Sequence, residues 1–248
     1  MSKVPGLTRL FAAILLAAPV ALSTLSAAVP NGMVRLAGGT FTMGTDASNI
    51  NALMARFGTK RRELFTVEMP AHHLTLQPFF IDRTEVTNRD FNNWMSKAYA
   101  GGDGDLPVTF VTWTHASAYC ESIGKRLPSE AEWEFAAGGG RTAEFPWGDG
   151  MPEASTANWQ GAGIGKPARV GSYAPNAAGL YDMSGNVWEF VQDDWRNDYT
   201  SNAASSLDRK VIRGGSFGGS PINLRVRYRD SHPANGPGPH VGFRCARS

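Results

Sequence analysis

Several features are scarce in this 248-residue sequence, and each absence narrows the possibilities. Beyond the N-terminal region, no stretch approaches the ~20 apolar residues that a membrane-spanning helix needs. Charge is balanced, because the chain without Lys3 and Arg9 contains 22 basic and 22 acidic residues. Nothing therefore indicates binding to nucleic acid or to an anionic membrane surface. The sequence also contains no internal repeat, low-complexity linker or second domain boundary, so we expect one domain.

The N-terminal region has the layout of a secretory signal peptide. Lys3 and Arg9 form a basic start, Leu10–Leu25 is mainly apolar, and the run ends in the small residues Ser26–Ala28. We expect residues 1–28 to be removed and residues 29–248 to form the mature, periplasmic or secreted domain. An uncleaved N-terminal anchor is the alternative. No cysteine follows the apolar run, so we expect no lipid anchor and no stable membrane association after cleavage.

Cysteine is rare, with Cys120 and Cys245 as the complete set. In an oxidising compartment two otherwise unpartnered cysteines are expected to bond to each other. The alternative is a catalytic thiol, which requires a nearby base and a lowered pKa. The disulfide would join the middle of the chain to its end.

Turn-forming and aromatic residues are abundant, with 28 glycines, 15 prolines and 7 tryptophans. This composition predicts short strands and many turns rather than a helical bundle. The alternating segment Met33–Gly44 is typical of a hairpin, and His73–Asp82 predicts a strand with Pro78 at a bend or edge.

Three helices are predicted. The first begins at Thr87 and the second spans Trp113–Ile123. The third begins at Ser129, which forms a capping box with Glu132.

Four segments occur together in one order. They are FFIDRTEVTNRDF (79–91), KRLPSEAEWEFAA (125–137), GLYDMSGNVWEF (179–190), and RGGSF with VGFRC (213–217 and 241–245). From about Met33 to the last residues, the sequence thereby resembles the formylglycine-generating enzyme, or sulfatase-modifying factor, family. The resemblance implies a compact α+β fold with little regular secondary structure, related to the C-type lectin fold. It also implies a disulfide between Cys120 and Cys245.

The segment GLYDMSGNVWEF contains a predicted calcium site. Asp182 and Glu189 supply carboxylates and Gly185 and Val187 supply carbonyl oxygens, the hard ligands that Ca²⁺ prefers. The matching positions of the family hold a structural calcium ion. The alternative is a turn in which backbone amides satisfy Glu189. A second calcium site of the family matches Asn158, but residues 161–170 contain no carboxylate, so we expect that site to be lost.

The best-known family members oxidise a cysteine of a sulfatase to formylglycine, using two cysteines that hold copper. Here the corresponding stretch, residues 214–229, contains no cysteine. Gly219 falls at the first cysteine position, and Arg225 or Leu224 falls at the second. Neither can supply the thiolates that select Cu(I), so we expect neither copper nor formylglycine generation.

Other relatives of the family use iron held by histidines in an additional helical domain, and we expect no such domain here. The histidines do not form a recognisable ligand set; they are His72, His73, His115, His232 and His240. His72 and His73 precede a strand in which adjacent side chains point to opposite faces. The sequence alone does not decide whether iron is bound.

A third branch of the family agrees best with the organisation of the chain. It consists of exported, cysteine-poor domains, one of which is needed for oxidative maturation of the siderophore pyoverdine. The hypothesis is a maturation or tailoring factor, with a small peptide-like product or an exported client protein as partner. The enzymatic form of this hypothesis is an oxidoreductase. The alternative is a non-catalytic, lectin-like binding module.

The family's substrate groove identifies the candidate site residues. The matching residues are Trp188, Ser216, Tyr228 and Arg229, with Asp230 and His232 adjacent. Trp188 offers an aromatic wall, Ser216 a hydroxyl and Arg229 a partner for a carboxylate. Ser216, Arg229 and His232 are the catalytic candidates, and each has an alternative role as a packed or hydrogen-bonded core residue.

Overall fold

The computed structural model describes Met1 and residues 29–96, 102–200 and 208–248. Residues 2–28, which carry most of the predicted signal peptide, lie outside the described residues. The helices of the described part are α1 (Ile50–Arg56), α2 (Glu63–Thr66), α3 (Asn88–Met95), α4 (Trp113–Ser122) and α5 (Glu130–Ala137). None of them has the length and apolar character needed to cross a bilayer.

Nine short strands are described, and they form three sheets. The strands are β1 (Met33–Leu36), β2 (Gly39–Met43), β3 (His72–Leu76), β4 (Phe79–Asp82), β5 (Trp188–Asp194), β6 (Arg209–Arg213), β7 (Arg229–Pro233), β8 (Val241–Phe243) and β9 (Ala246–Arg247). The sheet orders are β1-β4-β9, β2-β3 and β7-β6-β5-β8. Pairing is antiparallel except between β5 and β8, which run parallel.

The hairpin predicted for Met33–Gly44 is wrong. Its two halves belong to different sheets, since β1 pairs with β4 and β2 pairs with β3. Gly38 and Gly39 both have positive φ, 69° and 116°, and a side chain on Gly38 would clash with the Leu76 carbonyl. The two glycines therefore carry the chain from one sheet into the next. The strand predicted for His73–Asp82 is likewise two strands, β3 and β4, which separate around Pro78.

The helix starts follow their caps. The Thr87 hydroxyl accepts a hydrogen bond from Asp90 N, and the Thr112 hydroxyl accepts one from His115 N. The capping box is present at α5, where Ser129 and Glu132 each accept from the other's backbone N–H. These interactions satisfy amides that have no partner within the first helical turn, and the three predicted helices are confirmed.

The disulfide lies in one of the apolar clusters of the core. Cys120 on α4 is bonded to Cys245, with a Cα–Cα distance of 5.7 Å, and both residues are fully buried. Phe91, Tyr119 and Phe243 belong to the same cluster. The predicted pairing is confirmed, and it joins α4 to the C-terminal strands that frame the site described below.

Candidate functional site

A groove of about 430 Å³ lies at the N-terminal end of β5 and beside β7. Trp188 comes from β5, Asp230 and His232 come from β7, and Ser216 comes from the loop after β6. The segment before β8 closes the groove with His240. Three of the candidate residues, Trp188, Ser216 and His232, thus line one cavity.

A pair of glycines positions Ser216. Gly214 and Gly215 have φ values of 91° and 74°, which residues with side chains rarely adopt. A Cβ atom on Gly215 would also lie 2.9 Å from the Asn223 carbonyl oxygen. The turn between β6 and the groove therefore requires glycine, and it brings the serine to the groove wall.

The polar groups of the groove are held by the backbone. The Ser216 hydroxyl accepts a long, 3.4 Å hydrogen bond from Gly218 N. His232 Nε2 lies 2.8 Å from the Gly236 carbonyl oxygen, and because a carbonyl only accepts, Nε2 carries the proton. Burial lowers the pKa of His232 below its usual value, so the ring is neutral near pH 7. Nδ1 is then left as an acceptor.

His240 is a groove residue that the sequence did not identify. Its Nδ1 atom is buried and has no hydrogen-bond partner among the described residues. The ring packs on Phe217, with a centroid distance of 4.4 Å, and the His240 carbonyl accepts from Trp188 N at 2.7 Å. An unpartnered buried nitrogen is costly, so His240 supplies a polar position that a ligand or a water molecule can satisfy.

Tyr228 supports Trp188 from behind. The two rings are 6.1 Å apart, and Tyr228 is buried outside the groove lining while Trp188 is half-buried. Burial is also the main reason that the pKa of Tyr228 is raised to about 12. Tyr228 therefore orients the tryptophan wall and does not itself face the groove.

Arg229 does not line the groove, contrary to the prediction. It forms a two-pronged ion pair with Glu130, with Nε–Oε1 and Nη2–Oε2 distances of 2.6 and 2.8 Å. The guanidinium also lies over the ring of Tyr199, 4.5 Å from its centroid. Asp230 and His232 lie on one face of β7, whereas the side chain of Arg229 lies on the opposite face. Arg229 is thus buried in an ion pair outside this groove.

The two positions of the family cysteines have different environments. Gly219 lines the groove, so a residue there would face a bound ligand. Leu224 is fully buried, and Arg225 is fully buried in ion pairs with Glu68 and Glu144. Cys120 and Cys245 are consumed by their disulfide. No thiol is therefore available to this groove.

The predicted calcium residues lie in a buried cluster of acidic side chains. Asp182 is buried, with a positive φ of 55°, and its Oδ2 accepts from Gly171 N at 2.6 Å. Glu189 is held by the fork of Arg244, at 2.7 Å to each oxygen, and by Trp133 Nε1 at 2.8 Å. Side chains, not backbone amides, thus satisfy Glu189.

Glu85 is a third carboxyl group of this cluster. Its Oε1 accepts from Asn186 Nδ2 at 2.9 Å, its Oε2 is buried, and its carboxyl group lies within hydrogen-bonding distance of Asp182. Burial, together with the charges of Asp182 and Glu189, raises the pKa of Glu85 well above its usual value. Three carboxyl groups share the single guanidinium of Arg244, so either protons or a cation must offset the excess negative charge.

A calcium ion in this cluster stays a prediction, because Arg244 and Trp133 already donate hydrogen bonds to the two Glu189 oxygens. Among the described residues, no three His, Cys, Asp or Glu side chains converge as a ligand set. A calcium sphere at Asp182 and Glu189 would therefore need the carbonyls of Gly185 and Val187, as the sequence predicts. At the second predicted position, Asn158 Nδ2 donates to the Lys166 carbonyl at 2.9 Å, and Asn158 Oδ1 is buried without a partner in the described part of the chain.

The class of the protein follows from three features described above. They are the groove beside the Gly214–Gly215 turn, the disulfide that starts from α4, and the short irregular strands. Residues 21–248 match the model of the sulfatase-modifying factor enzyme 1-like domain, and the chain belongs to this family. It is 31% identical to the inactive C-alpha-formylglycine-generating enzyme 2 of Mus musculus, over 87% of this chain and 85% of that protein. It is 30% identical to the formylglycine-generating enzyme of Thermomonospora curvata, over 88% and 94%.

Comparison with solved structures identifies the same fold. PvdO from Pseudomonas aeruginosa superposes with a TM-score of 0.72 at 30% identity, covering 87% of this chain and 94% of PvdO. Treponema denticola variable protein 1 reaches the same TM-score at 23% identity, a likeness of fold. The expected fold class is confirmed: an α+β, formylglycine-generating-enzyme fold, related to C-type lectins and with modest regular secondary structure.

Proposed function

We propose that the mature protein is an exported maturation or tailoring factor that binds a small peptide-like product, or a segment of an exported client, in the groove. One observation carries the proposal. Gly219, at the position of the first family cysteine, lines the same groove as Trp188, Ser216 and His232. The proposal is that the family's site is kept as a cavity while its thiols are replaced. The similarity to PvdO over most of both chains supports the exported, cysteine-poor branch.

The groove residues suit recognition of a peptide-like ligand. Trp188 offers a half-buried ring for stacking, and the Ser216 hydroxyl is bound only weakly, through a 3.4 Å contact. His232 presents a neutral ring whose Nδ1 can accept a proton or a hydrogen bond. The groove has no thiolates for copper, so these side chains are the groups that would contact a ligand there.

A non-catalytic binding module is the second candidate, and one observation favours it. Ser216 and His232 are each hydrogen-bonded to backbone groups and form no recorded hydrogen bond with each other. A serine nucleophile requires an adjacent base within hydrogen-bond reach. Two of the similar proteins are named inactive formylglycine-generating enzymes, which agrees with a retained scaffold that recognises rather than converts.

A deletion strain tests the maturation function directly. Mass spectrometry would compare periplasmic and extracellular small molecules and peptides from the deletion strain with those of strains complemented with wild-type protein or variants. We expect an immature product to accumulate in the deletion strain, to disappear with the wild type, and to persist with Trp188→Ala. Trp147→Ala is the matched control, since Trp147 is also half-buried but lies outside the groove.

Identical profiles in the deletion and wild-type strains would refute maturation. Metal analysis and oxygen consumption by the purified protein then separate the two candidates. Stoichiometric iron or copper with turnover indicates an enzyme, whereas calcium alone without turnover indicates a binder.

Export and calcium are further parts of the proposal. A periplasmic or secreted location is supported by the predicted signal peptide and by the disulfide, which persists in oxidising compartments. N-terminal sequencing of the mature protein should begin at or near Val29.

Structural calcium held by Asp182, Gly185, Val187 and Glu189 is supported by the excess of buried carboxyl groups described above.

A further inference from the structure

A second cavity, of about 360 Å³, lies between the β2–β3 sheet and the loop that follows α5. We call it the arginine trough. Thr40, Thr42 and His73 form one side, and Phe135, Arg141 and Arg227 form the other. It shares no lining residue with the groove, so the function proposed above leaves it unexplained.

A tight, glycine-dependent turn places Arg141 at the trough. Gly139 and Gly140 have φ values of 62° and 73°, and Arg141 N donates to the Gly138 carbonyl at 3.1 Å. A Cβ atom on Gly138 would lie 2.6 Å from the Arg141 carbonyl oxygen. The turn is therefore fixed by its glycines, and the exposed guanidinium of Arg141 starts from a defined backbone position.

The trough carries uncompensated positive charge. In the described part of the chain, neither the Arg141 nor the Arg227 side chain has a recorded hydrogen bond or ion pair. Glu134 is the one carboxylate that lines the trough. Its Oε2 accepts from Arg213 Nη2 and its Oε1 accepts from Gly44 N at 2.8 Å. Glu134 is thus already neutralised, and the two trough guanidiniums have no anion.

The rest of the trough offers threonine hydroxyls and one aromatic wall. Thr40 Oγ1 lies 2.8 Å from Thr75 Oγ1, and Thr42 Oγ1 lies 3.2 Å from His73 Nδ1 across the β2–β3 pair. Phe135 is held edge to face by Phe41 at 5.3 Å. Hydroxyls on one side and a ring on the other accommodate the body of a small polar molecule.

We propose that the arginine trough binds a small oxyanion, the carboxylate, sulfate or phosphate group of a soluble molecule. Arg141 and Arg227 hold the anionic group, because the planar fork of arginine matches two oxygens of such a group. The threonine hydroxyls contact the body of the molecule. The site is independent of the groove and of its proposed function.

Isothermal titration of the mature protein tests this proposal. Sulfate, phosphate and D-glucuronate are the probes, at constant low ionic strength because salt screens exposed charges. D-glucose and chloride are the neutral and non-oxyanion controls. We expect saturable binding of at least one probe, weakened about tenfold or more in Arg141→Gln and in Arg227→Gln. Tighter binding of glucuronate points to an organic acid, and tighter binding of sulfate or phosphate points to an inorganic oxyanion.

Two control variants make the result specific. Arg35→Gln removes an exposed arginine outside the trough, and Trp188→Ala alters the groove, so neither should change the affinity for the probe. Absence of saturable binding by all three probes would overturn the proposal. Equal affinity in the wild type and in both trough variants would overturn it as well.

Discussion

Removal of the disulfide should lower the stability of the fold more than any single surface change. The bond between Cys120 and Cys245 closes a chain segment with a sequence separation of 125 residues. The chain-entropy relation for a loop of that length gives a destabilisation of about 5 kcal/mol when the cross-link is lost, as an upper value. Cys120→Ala/Cys245→Ala places small apolar residues in the same apolar cluster and leaves no buried polar group. The loss of stability in this variant therefore comes mainly from the greater conformational freedom of the unfolded chain without the cross-link.

Urea unfolding of the oxidised wild type and the double variant measures this difference, with free energies obtained by linear extrapolation and m-values compared. We expect the unfolding free energy to fall by about 3–5 kcal/mol. Wild-type protein whose disulfide is reduced and kept reduced during the titration should approach the stability of the double variant, because both lack the cross-link. A difference below about 1 kcal/mol would refute the reasoning, as would free thiols in the exported protein.

Three further perturbations test separate parts of the structure. Arg213→Met removes a fully buried guanidinium that forms ion pairs with Glu130 and Glu134, so the unfolding free energy should fall by about 3–5 kcal/mol. The control Arg35→Met should leave the unfolding free energy unchanged, and equal stability of the two variants would contradict this prediction. At Phe110 the backbone has a positive φ of 60° and the residue is 56% exposed, and asparagine tolerates positive φ better than phenylalanine. Phe110→Asn should therefore raise the unfolding free energy by about 1 kcal/mol. An unfolding free energy below that of the wild type would show that the contacts of Phe110 outweigh the backbone strain. Calcium chelation should lower the melting temperature of the wild type and of the control Asp46→Ala, but not that of Asp182→Ala. If the chelator leaves the melting temperature of the wild type unchanged, a structural calcium ion is excluded.

Local sequence signals predicted the parts of the fold that depend on neighbouring residues. The cap at Thr87 and the capping box of Ser129 and Glu132 each involve contacts three residues apart, and all are present. The disulfide followed from a count of two cysteines and an oxidising compartment. The groove positions Trp188 and Ser216 came from the family segments, which also carried the glycine turn that places Ser216.

Features that depend on distant pairing could not be predicted from one sequence. The alternation of Met33–Gly44 is the same whether its strands pair with each other or with β4 and β3. Arg229 was assigned to the groove because of its position, but its partner Glu130 lies 99 residues away. The arginine trough joins Arg141 to Arg227, and no local pattern signals that two such distant arginines share a cavity.

The central claim is that this chain keeps the family's groove without the thiols that generate formylglycine. The most direct test incubates the purified, oxidised protein with a cysteine-containing peptide of a sulfatase, in the presence of copper, a thiol reductant and oxygen. Mass spectrometry of the peptide reads out the conversion, with an active formylglycine-generating enzyme as the positive control. We predict that the peptide cysteine is left unconverted. Formation of the formylglycine peptide by this protein would contradict the claim.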